Sequence, residues 1–171
     1  LEPCDRSSNY KGKFYKSIDT NNTDILRYKM NTPWGKMVSM DLIRRENIRF
    51  DEIPVANDAM FSLKIGYHAN NISTIRIPLY VVTAGRPSLT QQRTSNNLWI
   101  RFNVAIKINQ FLSEINRKKY HINLFAYLYF FRKTGIKDVM RCVMLSIRYT
   151  PKRYLISDLV TCIKQIRNKK K

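Results

Sequence analysis

The pair Asn57-Asp58 heads an apolar-periodic run within NIRFDEIPVANDAMFSLKIGYHAN (47–70). A carboxylate in that position can cap the first turn of a helix, because Asp is among the best N-caps. It can also take a proton from a hydroxyl as a general base, which is worth about 10²- to 10⁴-fold in rate. The positive end of the helix dipole would favour its ionised form and weaken it as a base at the same time. Taken alone, the local pattern is that of a cap. Arg86, between Gly85 and Pro87, has a planar fork suited to phosphate oxygens.

Sulfur and imidazole chemistry is poorly supported. Cys4, Cys142 and Cys162 have no paired spacing, and only His68 and His121 could assist them. Neither a zinc site nor a disulfide framework is expected, which fits a reducing compartment.

The elements that would position these residues follow from periodicity and turn chemistry. NNTD (21–24) offers caps for a short helix over ILRYKM, stopped before Pro33. PWGKMVSM reads as a bend followed by a brief strand or helical turn, and Asp41 can cap a turn or two over DLIRRENI. Asp58 to Ala69 reads as a helix with a broad apolar face. ISTIRIPLYVV (72–82) is β-branched and partly alternating, so a strand is expected there, confined to an edge or broken by Pro78. TAGRPSLTQQ (83–92) is a linker by composition. Beyond it, one helix from about Leu89 to Lys119 is followed by three helical stretches, 121–133, 136–149 and 154–171, separated by TG and TP.

The series PWGKMVSMDLIRRENIRFDE and NDAMFSLKIGYHANNISTIRIPLYVVTAGRPSLT (33–90) resembles the acceptor-side half of family 2 glycosyltransferases of the GT-A fold. Those enzymes show a tryptophan closely followed by Lys-Leu or Lys-Met, an IxF-E phrase, and an acidic pair opening a helix with Phe close behind. A PLYxYR phrase then leads to Ser and Thr. The resemblance implies an α/β chain: the C-terminal portion of a GT-A domain over 1–90, then a mostly helical basic extension over 91–171. It implies an inverting transfer of a sugar from a nucleotide-sugar donor to a glycan or lipid-linked acceptor hydroxyl, in polysaccharide biosynthesis.

On that reading Asp58 is the catalytic base and Asn57 replaces the first acid of the pair. Trp34 and Lys36, flanking Gly35 in a bend, contact substrate, and Arg86 contacts the diphosphate. The family's Tyr-Arg falls here on Val82 and Thr83, so Arg86 would serve from three residues further on. A divalent cation, Mn or Mg, is implied for the complete enzyme, with its ligands outside this chain, because no D-x-D triplet occurs here. The chain opens on Leu1, so the donor-binding half is expected to precede it, leaving the fragment inactive alone.

Charge separates the two halves. The net charge of +19 divides into 13 Lys+Arg against 9 Asp+Glu over residues 1–90 and 18 against 3 beyond. Such an excess favours anionic partners. In YHINLFAYLYFFRK (120–133) aromatics crowd between basic clusters, which suits an interfacial helix on anionic lipid or, equally, a helix buried in its own bundle. Nucleic acid is supported by basicity alone, since no RNP-like strand, zinc knuckle or helix-turn-helix is recognisable. The alternative to the enzyme is a non-catalytic basic helical module on anionic membrane or nucleic acid. No apolar run reaches the roughly 18–20 residues of a membrane span, so the expected location is cytoplasmic, peripheral on the inner face of the membrane.

Overall fold

The computed structural model describes residues 22–75 and 94–168. The chain divides into two compact units, Leu1–Ser88 and Leu89–Lys171.

In the first unit, α1 (Thr23–Lys29), α2 (Met40–Arg45) and α3 (Asp58–His68) are described. Asn22 caps α1, its side chain accepting the Asp24 N–H. Helix α2 stops where Asn47 turns left-handed (φ +46°). The Asn47 N–H then donates to the Arg44 carbonyl (3.2 Å) and the Ile48 N–H to that of Ile43 (3.0 Å), the paired bonds of a Schellman motif. The motif delivers Ile48 into a small core with Phe61 and Ile65 of α3, against which Val38 and Ile43 pack. Helices α1 and α3 meet at Gly66, where a Cβ would lie 2.2 Å from the Arg27 carbonyl oxygen. The Arg27 guanidinium donates to the carbonyls of Gly66 (2.7 Å) and Ala69, so a cation closes the negative end of α3.

In the second unit, α4 (Ser95–Glu114) starts at Thr94, whose hydroxyl accepts the Asn97 N–H, and ends at Asn116 (φ +57°) in another Schellman pair. Two 3₁₀ turns (Lys118–Tyr120 and Leu124–Tyr127), α5 (Leu128–Phe131), α6 (Ile136–Tyr149), a third 3₁₀ turn (Lys152–Tyr154) and α7 (Leu155–Asn168) complete it. Leu98, Phe102, Ala105 and Ile106 of α4 form a core with Leu124, Phe131 and Cys142. Within it Phe102 meets Trp99, Tyr127 and Phe131 edge to face. Buried Asn109 clasps the loop, donating to the Ile122 carbonyl (2.9 Å) and accepting its N–H (2.6 Å).

The α/β expectation is corrected: among the described residues every element is helical and no strand occurs. Residues 72–75 of the expected strand are mostly exposed and pair with no strand among the described residues, while 76–82 lie outside them. β-Branched alternation records a preference for a pleated surface, and a ladder forms only where a neighbouring strand supplies its hydrogen bonds. The bend at Pro33–Gly35 leads into extended chain and then α2, with neither strand nor helical turn between. The single helix expected over 121–133, read equally as interfacial or as buried in its own bundle, is also absent. That segment forms 3₁₀ turns and the one-turn α5, and Leu124, Phe125 and Phe131 are at most 3% exposed.

Candidate functional site

The described candidate residues of the first unit lie in the loop between α1 and α2 and at the start of α3. Trp34 and Gly35 form the turn after Pro33. Gly35 has φ +75° and open space where a Cβ would stand, so it serves the backbone conformation alone. The turn sends Lys36 back toward α1, where its Nζ donates to the carbonyl of Met30, the residue that ends that helix. An ammonium there meets the negative end of the α1 dipole.

Burial lowers the Lys36 pKa to about 8, and the negative charge of Asp58 works against that fall. Lys36 and Asp58, 22 positions apart in sequence, therefore share one electrostatic neighbourhood. Asp58 is the first residue of α3 and is partly buried. The preceding Asn57 is exposed, and its own φ and ψ are helical (−63°, −22°). It makes no side-chain capping bond, and Asp58, read from sequence as a possible cap, is itself the first helical residue. Ala56, just before it, holds the left-handed conformation (φ +59°), which a Cβ disfavours.

The loop before α3 closes on itself through the Asp51 N–H, which donates to the Asn57 carbonyl (3.1 Å). Asp51 Oδ2 is buried without a hydrogen-bond partner, and so is Thr32 Oγ1 in the loop that carries Trp34 and Lys36. Unpaired buried oxygens are costly and call for an explanation. Asp51 lies within IRFDE (48–52), and its burial depends on the fold of the loop. His68 pairs with Glu46 (3.0 Å), a contact without a local sequence signal. Arg86 lies outside the described residues.

In the second unit the thiols are structural. Burial pushes Cys142 up to about 12 and raises Cys162, whose Sγ donates to the Phe125 carbonyl (3.0 Å). His121 Nε2 pairs with Asp158 (2.7 Å), and the ring stacks on Tyr154 (4.3 Å). Asn116, Lys118, Lys119, Arg153 and Tyr154 line an open basic depression of about 300 Å³ beside it.

Among the described residues no group of three His, Cys, Asp or Glu could hold a metal ion, and no helix is long and apolar enough to cross a membrane. Comparison with protein-family models, curated proteins and solved structures finds no match.

Proposed function

We propose that the first unit carries the acceptor side of a glycosyl-transfer site, in which Asp58 is the general base. The observation that supports this reading is that Asp58 opens α3 partly buried, at a start that the Asn57 side chain leaves uncapped, within electrostatic range of Lys36. The resemblance of residues 33–90 to family 2 glycosyltransferases selects both residues independently of that placement.

The chemistry is a single displacement. The acceptor hydroxyl oxygen attacks the anomeric carbon of a nucleotide sugar, and the bond to the nucleotide diphosphate breaks with its electron pair. Asp58 receives the hydroxyl proton. The Lys36 ammonium carries a positive charge in the electrostatic neighbourhood of Asp58, and Asp58 stands at the start of α3, where the helix dipole is positive. Trp34 offers an aromatic face to an acceptor sugar. The donor diphosphate and its divalent cation belong, on this reading, to segments other than those described, and no step here runs through them.

The test is sugar transfer by the complete protein from a panel of nucleotide sugars with Mn²⁺ or Mg²⁺, comparing wild type with Asp58→Asn. Loss of about 10²- to 10⁴-fold in kcat, with donor binding and folding kept, is the expected outcome. Full activity in the variant would remove Asp58 from the chemistry.

A further inference from the structure

We infer that the outer faces of α6 and α7 form a docking surface for an anionic lipid bilayer. This goes beyond the transfer reading and does not depend on it. On α6, Ile136, Met140, Met144 and Ile147 are 55–71% exposed. At about 100° per residue they fall within an arc of roughly 80°. On α7, Ile156, Leu159, Val160 and Ile163 are 43–80% exposed, within an arc of roughly 100°. Both helices turn a different side inward: Cys142 and Ser146 from α6, Asp158 and Cys162 from α7. Each helix is therefore amphipathic in an unusual sense, since much of its apolar surface faces water.

Charge selects the occupant. Between Ile136 and Asn168 there are seven Lys and Arg residues, namely Lys137, Arg141, Arg148, Lys152, Arg153, Lys164 and Arg167, and all seven are exposed. The two acids in the same span are engaged internally. Asp138 accepts from Ser95 Oγ and Trp99 Nε1 (3.0 Å each), and Asp158 is 8% exposed and paired with His121. The outward charge around the apolar stripes is thus of one sign. A second copy would bring like charge against like, and a nucleic acid would leave the stripes unused. An anionic bilayer answers both features, taking apolar side chains at the headgroup boundary and Lys and Arg at the phosphates.

The core position of Phe125 and Phe131 leaves the aromatic segment 120–133, read equally as interfacial or buried, apart from this surface. Sequence alone could have found the surface. Apolar residues recur at helical spacing over 136–147 and 156–163, but the same spacing equally describes an inward face.

The experiment is flotation of the full chain with phosphatidylcholine vesicles and with vesicles containing about a third phosphatidylglycerol, at about 0.1 M and about 0.5 M NaCl. Binding to the anionic vesicles that weakens with salt is expected. Met140→Ser/Met144→Ser and Ile156→Ser/Ile163→Ser should each lower it about tenfold or more, and Lys137→Gln/Lys164→Gln should weaken it with the stripes intact. All these side chains are exposed, so thermal unfolding should be unchanged. Met144→Trp supplies an independent readout, its emission shifting to the blue on anionic vesicles. Vesicle binding indifferent to the stripe variants, or no binding at all, would overturn the inference. So would stripe variants that abolish self-association in sedimentation while leaving vesicle binding intact, which would assign the face to a second copy.

Discussion

The two units hold themselves together by different means. In the first, the described buried apolar residues are Tyr28, Ile48, Val55, Ala59, Phe61, Leu63 and Ile65, and α1 is joined to α3 by a glycine contact and an arginine bonded to backbone carbonyls. In the second, seven buried residues form one cluster with interlocking aromatic rings, and a buried asparagine pins the connecting loop. Both units keep buried oxygens without a partner, on Thr32, Asp51 and Ser62 in the first and on Asn123, Thr150 and Tyr154 in the second. The difference lies at the surface: the second unit turns apolar and basic groups of α6 and α7 outward, and the first is the unit in which sequence places the chemistry.

That contrast can be broken unit by unit, because Trp34 and Trp99 are the only tryptophans and report one unit each. The largest effect is expected from Phe131→Ala. Its ring is fully buried among Trp99 and Phe102, and the cavity should cost about 3–5 kcal/mol, read from the Trp99 emission in denaturant with the Trp34 transition unmoved. Gly66→Ala should do the reverse. A methyl group against the Arg27 backbone must push α1 from α3, at a cost of about 2–3 kcal/mol in the Trp34 transition only. Asn116→Val, forcing a β-branched residue into the left-handed turn that ends α4, should cost about 1–2 kcal/mol in the second unit.

Proton linkage gives the smallest effects, with opposite settings in the two units. Lys36 titrates near 8 when folded, against 10.5 as its ordinary value. Between those values the unfolded chain binds more protons, so stability of the first unit should rise with pH from about 8 to 10.5, and Lys36→Met should flatten that rise. Asp138 is held below its ordinary 3.8, chiefly by hydrogen bonds from Thr134 and Trp99. Its contribution is present above that value and lost as pH falls below it, and Asp138→Asn should remove the acid loss from the Trp99 melt.

Much of the helical content was legible because its signals are local. The periodic run over 136–149 coincides with α6, and the run from Asp58 to Ala69 ends one residue beyond α3. The long helix expected to reach Lys119 stops at Glu114, because Asn116 takes a left-handed conformation that an asparagine tolerates and its letter alone does not announce. The α/β class was not recoverable from Ile72 to Val82, since strand preference says nothing about whether a partner strand exists. Within the candidate site, Lys36 and Asp58 were both named from sequence. The packing of α1 on α3 depends on Gly66 and Arg27, whose contact spans 39 positions and has no local signature. The buried oxygens of Thr32 and Asp51 were invisible for the same reason.

The most direct test of the Lys36–Asp58 site is an NMR titration of the Lys36 ammonium in wild type and in Asp58→Asn. A midpoint near 8 that falls further when the carboxylate is removed is the expected result, because Asp58 raises what burial lowers. An ordinary midpoint near 10.5, or one that Asp58→Asn leaves unmoved, would contradict it and separate the two residues on which the transfer reading rests.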